Sequence, residues 1–188
     1  MYKDIKKDLE ESIGKKRLEH SLRVLETAEK LGNIYNEDID KLKIAALLHD
    51  SAKFKDKDIL FKKVIDYNLS LDNIMLNNTE LIHGPLGAKI AEHEYNIKDK
   101  DILNAIKYHT TGRENMTMIE KIIFISDYIE PVRDFPGVDK VRELAFKDLD
   151  GSLILAMKKT IKFLIDNDQL ISVDTVKAIN YLKIKSKE

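Results

Sequence analysis

The run Ile44-Ala45-Ala46-Leu47-Leu48 constrains the fold more than any other stretch of this chain. It falls in the second half of a helix expected from Leu42 to His49, where the helix is apolar on all sides. Such a helix has no face to turn to water, so other elements must surround it. Asp38 or Asn36 is placed to cap its start. Its end is the adjacent pair His49-Asp50. A buried helix therefore delivers an imidazole and a carboxylate side by side at its C-terminal end.

The surrounding elements are expected to be helices too. Only 7 Gly and 3 Pro interrupt 188 residues, and no segment alternates apolar and polar positions as a half-buried strand would. The fold class is all-α, a single helical bundle over 1–188, with enough chain for a real core and no linker or repeat to divide it. A first short helix carries Ile5, Leu9 and Ile13 and stops at Gly14. The second runs from about Lys16 to Leu31, with Gly32 as its expected stop. Its stripe is Leu18, Leu22, Leu25, Ala28 and Leu31, and His20 lies just off it. Beyond the central helix come Ile59–Tyr67, then a mixed stretch from Asn68 to Leu81. A helix opens at His83-Gly84-Pro85, another starts at Asp99 or Asp101 and ends at His109, and a capping box at Thr117–Glu120 opens a strongly apolar one. Three helices finish the chain, at about Val138–Phe146, Gly151–Asp166 and Val173–Ile184. Val173, Val176, Ile179 and Leu182 give the last one an apolar face, to be packed internally or across a homodimer.

Charged residues make up 35% of the chain, yet the net charge is only -1. No basic excess points to nucleic acid as a partner. The absence of cysteine excludes disulfides, zinc ribbons, iron–sulfur clusters and thiol nucleophiles. The first eight residues are charged throughout, unlike a signal peptide, and no apolar run approaches the roughly 20 residues of a membrane span. A cytoplasmic location without a membrane partner is the expectation.

Four of the five histidines occupy comparable places: His20 within a helix, His49 and His109 at helix ends, His83 at a helix start. His93 is assigned to the surface. Asp50 and Asp127 follow or interrupt strongly apolar helical runs, where an ionised carboxylate is costly unless a cation or hydrogen bonds compensate. Each residue alone has a simpler reading, as a helix cap or a dipole-stabilised imidazole. Several at once suggest a shared metal. Imidazole plus carboxylate without sulfur suits iron, manganese, zinc or magnesium.

The order His20, His49-Asp50, His83, His109, Asp127 resembles the metal-dependent phosphohydrolases of the HD superfamily. The resemblance is closer to the YqeK family of HD-domain proteins, the symmetrical bis(5′-nucleosyl)-tetraphosphatases of bacteria. It rests on Ala46 to Lys53, Leu81-Ile82-His83-Gly84-Pro85, Lys107-Tyr108-His109-Thr110-Thr111-Gly112, and Glu120-Lys121 through Ser126-Asp127-Tyr128-Ile129-Glu130-Pro131 and Arg133. Ser126 stands where many such proteins carry Ala. The resemblance covers roughly Arg17 to Leu182 and implies an HD core over about 16–132, followed by C-terminal helices over about 138–184.

The resemblance implies a hydrolase that cleaves diadenosine tetraphosphate symmetrically into two ADP. It implies iron as cofactor, as one or two ions, with His20, His49, Asp50 and Asp127 as metal ligands. His83 and His109 are then ligands of a second metal or contacts to phosphate. Asp50, central and carboxylic, is the expected bridge. Two metals about 3.5–4 Å apart would hold a hydroxide as nucleophile and grip a phosphoryl oxygen. Arg17, Lys53 and Arg133 are expected to contact the nucleotide, because polyphosphate needs cations around it. The competing readings are another HD phosphohydrolase, acting on a nucleotide, a guanosine polyphosphate or a phosphodiester, and a nucleotide-binding sensor without catalysis.

Overall fold

The computed structural model describes residues 2–187. Among these, eleven α-helices and one 3-10 turn form the structure, with no strand. They are α1 (Tyr2–Ile13), α2 (Lys15–Tyr35), α3 (Ile39–Leu48), α4 (Lys57–Asp66), α5 (Asn73–Asn77), α6 (His83–His93), α7 (Lys100–Tyr108), α8 (Met118–Ile129), α9 (Val138–Ala145), α10 (Leu149–Asp166) and α11 (Val173–Lys185). The 3-10 turn, Thr79–Ile82, leads directly into α6.

The expected central helix is central. In α3, Leu42, Ala45, Ala46, Leu47 and Leu48 are wholly buried, and the helix packs against α2, α6, α7 and α8. Its start is fixed by Asp38, whose side chain accepts from the backbone N–H groups of Asp40 and Lys41. Asp99 caps α7 in the same way, and Thr117 with Glu120 completes the capping box of α8. Most of the buried apolar side chains join one core, while Ala52, Leu60, Val64, Ile82, Leu86 and Ile90 form a smaller one under α4 and α6.

Gly32 does not end α2. The helix continues to Tyr35 and stops at Asn36, which takes the left-handed conformation at φ 54°. Gly32 serves close packing instead: a methyl there would overlap Leu42 Cδ1 and lie 2.8 Å from Ile39 Cδ1. The sequence signal of a stop and that of a close helix crossing are the same residue, and here the crossing of α3 over α2 accounts for it. Likewise α10 begins at Leu149, ahead of Gly151, because Asp148 accepts from Gly151 N and caps it. The apolar face of α11 divides. Ile179 and Leu182 are buried, whereas Val173 and Val176 are exposed.

Candidate metal centre

Five helices bring their ends or middles to one point. α2 contributes His20 from its second turn, α3 ends at His49-Asp50, α6 begins at His83, α7 ends at His109, and α8 carries Asp127 in its last turn. All four imidazoles have the same orientation, and the cause is local. A helix leaves its last four carbonyls without intrahelical partners. His49 Nδ1 donates to Ala46 O at 2.7 Å and His109 Nδ1 to Ile106 O at 2.7 Å, each using one of those spare carbonyls. His83 Nδ1 donates to Glu80 O of the 3-10 turn, and His20 Nδ1 to Glu130 Oε1 at 3.3 Å. With Nδ1 carrying the proton, every ring presents the Nε2 lone pair to the common centre, the state a metal-binding imidazole needs.

Asp50 lies between two pairs of rings. Its Oδ2 is 4.0 Å from His20 Nε2 and 3.8 Å from His49 Nε2. Its Oδ1 is 3.4 Å from His83 Nε2 and 3.7 Å from His109 Nε2. Asp127 Oδ1 approaches His20 Nε2 at 3.0 Å and His49 Nε2 at 4.0 Å. Three overlapping triads therefore have ligand atoms close enough for one ion each: His20-His49-Asp50, His49-His109-Asp127 and Asp50-His83-His109.

The donor set fits a divalent metal. His49 Nε2 is fully buried and finds no hydrogen-bond partner among the described residues. The lone pairs of His83 Nε2 and His109 Nε2 meet at 2.9 Å, which is repulsive unless a proton or cation lies between them. Thr110 Oγ1 is 3.2 Å from one and 3.1 Å from the other, but its single proton serves only one.

The charges follow from burial and proximity. Burial pushes the Asp50 carboxyl up, but His49, His109 and His83 outweigh it and hold the group well below the usual carboxylate range. Asp127 is lowered likewise, with burial overcome by His20, His49 and Arg133. Burial lowers His49, and burial with the neighbouring His109 holds His83 well below the ordinary imidazole range. Burial opposes a proton on His109 as well, yet the Asp50 carboxylate outweighs it and raises that ring. Both carboxylates are thus anionic at neutral pH and most of the imidazole lone pairs are free.

The structure brings all six expected ligands together. Arg17 Nη1 reaches Asp50 Oδ2 at 3.1 Å, and Arg133 Nη2 reaches Asp127 Oδ1 at 2.6 Å. Lys53 does not reach the cluster; its Nζ pairs with Glu80 Oε2 at 2.8 Å, beside His83. His93 lies away from the site, half exposed and stacked on Tyr67. The side chains of Arg17 and Arg133 are 47% and 39% exposed and Asp127 is 20% exposed, whereas His49 is closed. The mouth of the site is therefore on the arginine side.

Sequence reasoning gave no role to Glu130 or Arg23. Glu130 is buried, accepts from His20 Nδ1, and also from Arg23 Nε at 2.8 Å and Val132 N at 2.9 Å. The available signal was spacing: Glu130 follows Asp127 by one turn, and Arg23 follows His20 by one turn. A carboxylate behind a metal-binding imidazole fixes its ring and tautomer, and its loss typically costs 10–100-fold in metal affinity. Glu130→Gln should therefore weaken metal binding about 10- to 100-fold while the protein stays folded. Titration with Mn²⁺ monitored by calorimetry checks this, and an unchanged affinity would mean that Glu130 only anchors Arg23.

The profile of the HD domain matches residues 17–132. The chain is 46% identical over 173 residues to a symmetrical bis(5′-nucleosyl)-tetraphosphatase of Staphylococcus aureus, covering 91% of this chain and 89% of that protein. It is 45% identical over 171 residues to the enzyme of the same name from Halalkalibacterium halodurans, covering 91% of each. Among solved structures, a protein from Clostridium acetobutylicum described as a predicted HD superfamily hydrolase involved in NAD metabolism superposes with a TM-score of 0.93. That pair is 42% identical, with 98% of both chains covered. The ligand cluster, the matched core from Arg17 to Val132 and these full-length similarities agree, and the chain belongs to the HD domain family.

Proposed function

We propose that this protein is a divalent-metal-dependent hydrolase that cuts diadenosine tetraphosphate at its central anhydride and releases two ADP. The activity named for its full-length relatives supports the substrate and the position of the cut. One observation carries the chemistry: the two oxygens of Asp50 face two different pairs of imidazoles, as a carboxylate bridging two ions requires. The reading takes the ions to be iron, loaded as a pair.

A bound divalent metal supplies Lewis acidity and lowers the pKa of coordinated water toward neutrality. The remaining work belongs to the chain. Hydrolysis adds one water across the central P–O–P linkage, breaking one P–O bond and leaving two nucleoside diphosphates. Most of the catalysis in phosphoryl transfer is positioning and charge neutralisation. Arg17 and Arg133 stand at the mouth with each side chain partly exposed, and their forked donors match phosphate oxygens. Asp50 and Asp127 hold those two side chains in place while they reach outward. His83 and His109, with Asp50, would hold the second ion of the pair.

The test is product identity. Manganese- or iron-loaded protein incubated with diadenosine tetraphosphate should yield ADP as sole product, resolved by anion-exchange chromatography. Guanosine polyphosphates and AMP offered in parallel should turn over at least about 100-fold more slowly, because each lacks one of the two arms. Formation of ATP and AMP would overturn the position of the cut, and no turnover would overturn the activity.

A further inference from the structure

The turn that follows α7 carries two adjacent threonines, and the fold uses them differently. Thr111 Oγ1 donates to Gly112 O at 2.9 Å and is spent within the turn. Thr110 Oγ1 is 3.2 Å from His83 Nε2 and 3.1 Å from His109 Nε2, and those two nitrogens are 2.9 Å apart. The three atoms make a nearly equilateral triangle, and the ring nitrogens are the only partners of this hydroxyl among the described residues. Both histidines are buried, whereas Thr110 is exposed. Its hydroxyl is therefore the corner of the His83–His109 half that lies nearest to solvent. We propose that Thr110 is a substrate-binding residue, whose hydroxyl donates to a phosphate oxygen of the dinucleoside polyphosphate. This rests on the hydrolase reading above.

A hydroxyl has one proton to give. Once an ion engages the lone pairs of His83 and His109, neither ring can accept that proton, and it is left for a group arriving from outside. A phosphate oxygen drawn to the same point is such a group, anionic and an acceptor only. The arginines grip elsewhere. Arg17 pairs with Asp50 Oδ2 and Arg133 with Asp127 Oδ1, and both oxygens face the His20–His49 side. Lys53, beside His83, is engaged by Glu80. A molecule cut at its centre presents phosphate to both halves of the site, so the His83–His109 half needs a donor of its own, and Thr110 stands there. The turn holds it in place. His109 Nδ1 is tied to Ile106 O, and Gly112 N donates to Tyr108 O at 2.7 Å, closing the turn that contains Thr110. Gly112, at φ 66°, presses that turn against α10 and α11: an added Cβ would lie 2.6 Å from Met157 Cε and 3.3 Å from Ala178 Cβ. A donor fixed in advance needs no reorganisation to meet charge.

Calorimetric titration of manganese-loaded protein with ADP tests the assignment, with manganese content measured alongside. Thr110→Val keeps the shape of the side chain and removes the donor. It should bind ADP about tenfold more weakly at unchanged manganese content, the loss expected for one hydrogen bond to a charged group. Thr110→Ser should recover most of that affinity. Thr111→Val, which removes a hydroxyl that bonds only within the turn, is the control and should match the unsubstituted protein. ADP affinity unchanged by Thr110→Val overturns the assignment, and so does an equal loss in Thr111→Val. Loss of manganese from Thr110→Val overturns it too, because the hydroxyl would then serve the metal rather than phosphate, as does absence of ADP binding by the unsubstituted protein. Failure of the hydrolase reading registers separately, as no conversion of diadenosine tetraphosphate to ADP. The ADP titration is read whichever bond is cut.

Discussion

Asp50→Asn is expected to abolish turnover and to strip the site of metal in the same step. The substitution preserves the side chain's shape, so packing at the end of α3 has no reason to change. It removes the charge that balances two cations, and it replaces one of two outward-facing oxygens with an amide donor. Whichever way the amide turns, its NH₂ faces either His20 and His49 or His83 and His109, and fills with a hydrogen bond the space a cation would take. Losing the metal's Lewis acidity forfeits several kcal/mol of transition-state stabilisation, so kcat should fall by about 10³-fold or more. His49→Ala should act in the same direction through loss of a buried ligand. Elemental analysis after desalting, paired with the ADP-release assay, measures both quantities. An Asp50→Asn protein that keeps a full complement of metal would show that Asp50 is not a ligand.

The outline of that centre was legible in the sequence for a physical reason. Helix ends are marked by caps and breakers, and three of the four histidines of the cluster sit at helix ends, where a spare carbonyl is available to Nδ1. The all-apolar run of α3 identified the element that had to be central, and with it the depth of His49 and Asp50. What the sequence hid was anything decided by a neighbour far along the chain. Glu130 reads as a loop residue before Pro131, and only its contact with His20, 110 positions away, gives it a role. Lys53 reads as one turn beyond His49, but the helix has ended by then, and the side chain turns to Glu80 instead. Gly32 carries the mark of a helix stop, and its use against Leu42 and Ile39 appears only when α3 is laid across α2.

A second glycine, Gly84, bears directly on the centre, and Gly84→Ala is expected to destabilise the protein and disable the His83–His109 half of the site. An added Cβ would lie 2.5 Å from Lys107 O, 3.4 Å from Lys107 C and 3.6 Å from Ile106 O. These are backbone atoms of the last turn of α7, so no side-chain rotation relieves the overlap, and α6 must move away from α7. The two rings that must stay in register flank the clash. His83 precedes Gly84 in the chain, and His109 is tied to Ile106 O in that same turn. Their Nε2 atoms, now 2.9 Å apart, would separate. Overpacking of this kind usually costs about 1–3 kcal/mol. An alanine replacing an unhindered helix glycine gains about 1 kcal/mol, so the sign of the change discriminates. Urea unfolding of the metal-free protein reads the stability, and manganese stoichiometry reads the site. The expected result is a lower midpoint together with loss of the metal shared by His83, His109 and Asp50, while the His20–His49 side keeps its ion. A rise in the midpoint with full loading would mean that α6 and α7 are not held as closely as Gly84 implies.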